Sequence, residues 1–380
     1  MSERIVLSLM DGLFQGGSPI IHANTVAYLH QHSDQRHDVL SYTSRVQREH
    51  TVQKIRQSLP HAILTEAQVG LHWFTRTPSD DYSDMDLLFA EQLVRGSDVL
   101  FSLKEQPLTL LDRIGTFGRP LVAALHRSDP ENQGGGTGVL GEFAKDGRLT
   151  AAICCAYSVQ AAYHEATGMP LEMLPVIPNG IDLERFVPSQ RRRERTRAGL
   201  GIPERAPVLF LSARYDSMKN IPLFVESAGR LLQEVPDAWF LMCGAGMTDG
   251  NGDLQNLLNR HVPEGLHHRF VRLGIRSAME NLYPAADLVV LTSTFGEAAP
   301  LSLLEGMACG LVPVTTPVGD SALIVGDERL VAEPTVESLA EHWQYALTHH
   351  PELRDALLAR RADFDSVTCY RRYGEILERL

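Results

Sequence analysis

Val208-Leu-Phe-Leu-Ser-Ala213 is an apolar run that lacks the polar alternation of a half-exposed strand, and it leads straight into Arg214-Tyr-Asp-Ser-Met-Lys219. A strand covered on both faces reads this way, as in a parallel sheet packed between helices. The rhythm continues in both directions. Downstream, strands are expected at Ala238–Cys243, Phe270–Leu273, Asp287–Thr292 and Val312–Thr316, with helices near Ile221–Val235, Leu254–Arg260, Ala278–Pro284, Leu301–Ala308 and Val336–Thr348. Upstream, strands are expected at Ile5–Met10, Asp38–Tyr42, Asp98–Leu103, Pro120–Leu125, Ala151–Tyr157 and Leu174–Ile177, between helices at Ile21–His32, Val46–Leu59, Asp84–Val94 and Val159–Thr167.

Strands alternating with helices predict an α/β protein built on doubly wound parallel sheets. A chain of 380 residues is long for one core and suits two domains of roughly 150 to 200 residues. The turn-rich Pro178–Pro188 stretch divides them, giving 1–177 and 178–365, with a helix at about 366–380 packing back on the first domain. Ligands are expected at the carboxyl ends of both sets of strands. With 44% hydrophobic and 22% charged residues, disordered and fibrous classes are excluded. The net charge of -12, from 35 Lys and Arg against 47 Asp and Glu, argues against a nucleic-acid partner needing many phosphate contacts. Five cysteines without metal spacing or disulfide density fit a reducing cytoplasm. The first apolar run is too short for a secretion signal, and no stretch is long enough to span a membrane.

Glu297 and Glu305 stand eight residues apart, the second about two turns into an expected helix. Pro300 suits the opening turn of that helix, which would leave the amides of Leu301 and Ser302 facing an anion. Arg214 and Lys219 follow a strand, where cations could bracket a diphosphate. Taken alone, these residues also read as a dipole-stabilising carboxylate, a solvent-facing Glu and ordinary loop cations.

Asn179-Gly-Ile-Asp-Leu-Glu-Arg-Phe186, Arg214 with Lys219, Gly244-Ala-Gly246, and Glu297 to Glu305 running into Gly306-Met-Ala-Cys-Gly310-Leu-Val-Pro-Val314 occur in that order. The set resembles the retaining nucleotide-sugar glycosyltransferases of family 4, which have the GT-B fold of two Rossmann-like domains. It is dense from about Pro178 to Asp327 and thin in the first 150 residues. The resemblance implies a hexosyltransferase that moves a sugar from a nucleoside diphosphate donor, a UDP-sugar by preference, to a hydroxyl of a small-molecule or glycan acceptor. It implies no metal and no cofactor, the nucleotide-sugar being a substrate. Arg214, Lys219, Gly17, Leu301 and Ser302 would hold the diphosphate. Glu305 and the backbone at Gly274, Ile275 and Arg276 would hold the nucleoside. Glu297, His126 and Ala299 would meet the donor sugar, with Glu297 and His126 catalytic, and Gly16 and Gly17 would border the acceptor. A nucleotide-sugar epimerase, a sugar phosphorylase and a silent nucleotide-sugar-binding protein are the alternatives, and a monomer or homodimer is expected.

Four further segments compete for attention. Asp84-Met-Asp86, with Asp80 and Asp81 nearby, imitates an Asp-x-Asp metal site but reads as capping or solvated acids. Gly134–Gly136 resembles a phosphate loop without the Lys-Ser/Thr and helix that should follow, and reads as a mobile flap on the acceptor side. Arg191–Arg195 reads as a solvated helix face. Arg45–Arg56 sets Val46, Val52 and Ile55 beneath four cations. That is an interfacial pattern for membrane contact, although a sheet-covering helix is the preferred reading.

Overall fold

The computed structural model describes residues 4–13, 16–44, 58–76, 82–132 and 136–380. Arg45–Arg56, Asp80, Asp81, Gly134 and Gly135 lie outside the described residues, as does all but the end of the helix expected at Val46–Leu59. Two compact units emerge, Met1–Asn179 with Val367–Leu380, and Gly180–Ser366.

In the first unit, β1 (Arg4–Met10), β2 (Gln35–Ser44), β3 (Gly70–Arg76), β4 (Val99–Leu103), β5 (Leu121–Leu125) and β6 (Ala151–Cys154) form a sheet in the order β3-β2-β1-β4-β5-β6. Every neighbouring pair is parallel. The C-terminal helix Ser366–Glu378 completes this unit's core: the Tyr373 ring lies 5.8 Å from Phe101, and Cys369 and Leu377 join the cluster around Val6, Val26 and Val99.

The second unit repeats the plan with β7 (Val208–Ser212), β8 (Trp239–Cys243), β9 (Phe270–Arg272), β10 (Leu288–Val290) and β11 (Val312–Val314), ordered β11-β10-β7-β8-β9 and again all parallel. The helices Leu301–Ala308 and Val336–Thr348 occupy the spans expected for them.

Several expectations need correction. Leu174–Ile177 is no strand; it makes a single bridge to Cys154, because Pro175 and Pro178 cannot donate to a ladder. The strand expected at Ala151–Tyr157 ends at Cys154, and a helix already begins at Tyr157. Strand β3 was not expected, nor were the helices Leu108–Ile114, Gly136–Lys145 and His350–Ala359. A helix does follow the glycine run. Gly136 is its buried first residue rather than part of a flap, set so closely against Glu105 that a Cβ would lie 2.8 Å from that side chain.

The arginine run is not simply a solvated face. Arg191, Glu194 and Arg195 are exposed on the helix Gln190–Leu200. On its inner side Arg193 and the buried Arg197 reach the Asp287 carboxylate at 2.6 and 3.0 Å, and that carboxylate also accepts from the Val208 amide. The helix Asp84–Arg95 is capped by Ser83, whose Oγ accepts from the Asp86 amide and donates to the Asp86 carboxylate at 2.7 Å, while Asp84 is exposed in the first turn. Among the described residues, no group of three or more His, Cys, Asp or Glu gathers as metal ligands, and no helix is long and apolar enough to cross a membrane.

Candidate functional site

In an open parallel sheet, the strand order reverses at a switch point, where the loops leaving the carboxyl ends diverge and leave a crevice. In the second unit that point lies between β7 and β10. The loop after β7 carries Arg214 to Lys219 and the loop after β10 carries Ser293 to Glu297, so chain order alone delivers the candidate residues to one crevice.

Their side chains are charge-paired. The Lys219 ammonium donates to Glu297 Oε1, although 78 residues separate them, and both side chains are largely buried. Ser293 Oγ donates to the same Oε1 at 2.6 Å, and the Ser293 carbonyl in turn accepts from Thr316 Oγ1 at 2.5 Å. A buried carboxylate is expensive without partners, and this one has a cation and a hydroxyl. Its loop is pressed from below by Gly319, whose φ of 61° brings the backbone so near that a Cβ would lie 2.3 Å from the Glu297 carbonyl. Arg214 extends into solvent and pairs with Asp216 at 3.0 Å. Asp216 also accepts from the Lys219 amide at 3.1 Å, so one carboxylate holds the Arg214 side chain and the Lys219 backbone.

The helix Leu301–Ala308 follows Pro300, with no side chain capping its start. Leu301 and Ser302 occupy its first turn, where amides have no partner within the helix. Glu305 sits one turn on, half-buried, and Tyr283 donates its hydroxyl to Glu305 Oε2 at 2.7 Å. Burial pushes the Glu305 carboxyl up to about 7, against the lowering pull of the Tyr283 hydrogen bond and of Arg185.

At the next loops, Gly244 lies so close to the loop after β7 that a Cβ would fall 2.0 Å from the Ala213 carbonyl. Gly274 accepts from the Gly244 amide at 2.9 Å and donates to Met247 at 2.7 Å, so its polar groups bind loop to loop. Ile275 and Arg276 are exposed beside it, and Ala299 lies half-buried between Glu297 and the helix.

The first unit has its own switch point, between β1 and β4. Gly16 precedes the helix Gly17–His32 and accepts from the Ile20 amide at 3.1 Å, without a side-chain cap. Lys104, at a φ of 65°, and the buried Glu105 follow β4. Tyr163 donates to Glu105 at 2.6 Å, and burial raises the Glu105 carboxyl. His126 follows β5, its imidazole pushed down to about 3 by burial and by Lys104. His22 and His37 are likewise held near 3, chiefly by burial.

Sequence reasoning thus named Arg214, Lys219, Glu297 and Glu305 but missed Asp216, Ser293 and Tyr283, which hold them. Asp216 lay inside the quoted loop, and the strand-end position was its available signal. Tyr283 carried none, being one apolar residue of an expected helix. In the first unit, Lys104 and Glu105 also went unread.

Residues 192–360 match the family model described as glycosyl transferases group 1. A stretch of 159 residues is 30% identical to the Escherichia coli UDP-Gal:alpha-D-GlcNAc-diphosphoundecaprenol alpha-1,3-galactosyltransferase, covering 41% of this chain and 39% of that protein. Another of 165 residues is 32% identical to the D-inositol 3-phosphate glycosyltransferase of Paenarthrobacter aurescens, covering 43% and 39%. The chain thus spans about two fifths of the length of the curated relatives it matches. Among solved structures, Anabaena Alr3699/HepE in complex with UDP and glucose superposes with a TM-score of 0.82 at 20% identity, covering 99% of this chain and 100% of that one. Sucrose-phosphate synthase from Thermosynechococcus elongatus gives 0.75 at 16% identity, with 99% of each covered. These likenesses establish the fold as GT-B, two Rossmann-like units in one chain. Through residues 192–360, somewhat under half of its length, the chain resembles the glycosyl transferases group 1.

Proposed function

We propose that the protein transfers a sugar from a nucleoside diphosphate donor, a UDP-sugar, to a hydroxyl of a small-molecule or glycan acceptor, with retention at the anomeric carbon. The observation that carries this reading is the Lys219–Glu297–Ser293 cluster at the second unit's switch point, with Glu305 held eight residues on by Tyr283. A cation, a buried carboxylate and an uncapped helix start are what a sugar diphosphate requires. Arg214, Lys219 and the amides of Leu301 and Ser302 bind the phosphates. Glu305 accepts from the ribose hydroxyls, and Glu297 accepts from hydroxyls of the donor sugar. The complex of the Anabaena neighbour with UDP and glucose supports the choice of uridine.

In this reading the bond from C1 to the diphosphate oxygen breaks as the bond from C1 to the acceptor oxygen forms on the same face. The departing phosphate oxygen takes the acceptor's proton. Negative charge grows on the diphosphate, and fixed cations and amides stabilise it without reorganisation. His126 is assigned to the donor sugar by the resemblance alone. Its neutral imidazole suits the orientation of a hydroxyl rather than proton transfer.

A thermal-shift panel of UDP, GDP, ADP, dTDP and CDP tests the donor. A nucleotide at 100 times its dissociation constant adds about 2.7 kcal/mol, so UDP alone should raise the melting temperature visibly. Glu305→Ala should weaken UDP binding by about 1 to 3 kcal/mol. The absence of any shift on folded, ligand-free protein would remove the donor assignment. Turnover that survives EDTA and a retained anomeric configuration by NMR are the expected outcomes for the chemistry.

A further inference from the structure

The Asn179–Phe186 motif is left unexplained by ligand contacts, and the structure gives part of it another task. Arg185 forms an ion pair with Glu280 at 2.8 Å and also donates to the Ser277 carbonyl at 3.0 Å, fastening the segment that leads into Tyr283. Phe186 meets the Tyr283 ring edge-on at 6.0 Å, and Phe210 of β7 lies against the same ring at 5.0 Å. The Phe186 backbone is itself held by Arg361, which donates to its carbonyl at 2.8 Å. Tyr283 is fully buried, so its ring has one place to sit and its hydroxyl one direction to point. That direction is Glu305 Oε2.

We propose that Tyr283 is a positioning residue for Glu305: its hydroxyl fixes one carboxylate oxygen, leaving the other oxygen to accept from the ribose diol. This rests on the nucleoside role given to Glu305 above. The charged and titratable groups around Glu305 are Tyr283 and Arg185, which favour its ionised form, Glu280, which opposes it, and the Cys243 and Cys309 thiols, whose own ionisation Glu305 discourages. With the carboxyl poised at about 7, the loss of one stabilising donor moves it into a range where it is protonated at neutral pH.

The experiment is calorimetric titration of UDP and of its 2′,3′-dideoxy analogue from pH 6 to 9, on wild type, Tyr283→Phe and Arg185→Gln. Wild type should prefer UDP over the analogue, with the preference growing as pH rises through about 7. Tyr283→Phe should lower that preference about three- to tenfold at pH 7, shift its midpoint upward, and recover most of it by pH 9. That recovery separates an ionisation role from damaged packing. Arg185→Gln should shift the midpoint the same way, and stands in should the tyrosine variant fail to fold. An unchanged midpoint in a folded variant, or a loss equal at every pH, overturns the proposal. If wild type shows no preference for UDP at any pH, the ribose role of Glu305 itself is wrong. That failure is distinct because it is visible before any variant is made.

Discussion

The two sheets strike a different balance between paired charges and groups that burial neutralises. After β7 and β10, charges are kept and paired: Lys219 with Glu297, Arg214 with Asp216. Around the first sheet, burial drives groups toward neutrality, holding His22, His37 and His126 near 3 and raising Glu105. Two sheets of the same parallel, doubly wound design therefore offer different chemistry. Under the proposed function, the second is suited to a charged diphosphate and the first to a neutral hydroxyl. Fold alone does not decide what a strand-end crevice holds; the partners placed beside each ionisable group do.

The largest effect that could break this contrast is on stability against pH. Free imidazole titrates near 6.5, whereas His22 and His37 in the folded chain titrate near 3. Between these values the unfolded chain holds more protons, so the folded state loses stability as pH falls. From pH 7 to 5 each histidine should cost the first unit up to about 2 kcal/mol. Glu105 acts against this, since burial raises its carboxyl. Glu305 has the opposite sign. Its folded value of about 7 exceeds the ordinary 4.5, so its contribution grows as pH falls across that window. Hydrogen exchange, corrected for intrinsic rates, should show β1 and β2 losing more protection at pH 5 than β7 and β8. Equal losses would remove the distinction.

Next in size is Glu297→Ala, expected to lower kcat on the order of a hundredfold. UDP affinity should hold or rise, because Lys219 is released from its carboxylate to meet phosphate. Steady-state kinetics beside UDP titration separates the two effects, and turnover near wild type would show that the paired charge is structural. The smallest expected change is that of Ser293→Ala, which removes a hydroxyl donor to Glu297 Oε1 and should lower kcat about three- to tenfold. If Ser293→Ala matched Glu297→Ala, the hydroxyl rather than the carboxylate would be the group that acts.

What could be read in advance follows a physical line. Strands such as Val208–Ser212 and Trp239–Cys243 are buried along their length, so their composition announces them. Gly70-Leu-His-Trp-Phe-Thr-Arg76 lies at a sheet edge, where a histidine such as His72 is tolerated and the apolar signal breaks up. The helix Gly136–Lys145 opens on poor helix formers, and it is the packing of Gly136 on Glu105 that marks its start. In the site, residue types suited to a sugar diphosphate were visible in the chain. The pairing of Lys219 with Glu297 and of Tyr283 with Glu305 was not, because contacts between residues 78 and 22 positions apart leave no local trace.

The first unit borrows its last helix from the far end of the chain, and this gives the fold a timetable. Tyr373 and Leu377 sit in the same core as Val6 and Val99, so the half of the protein made first is the half finished last. At about 5 to 20 residues per second, the first unit waits roughly 10 to 40 s while Gly180–Ser366 is made. A truncation that removes Ser366–Glu378 would therefore injure the first unit and leave Gly180–Ser366 nearly whole.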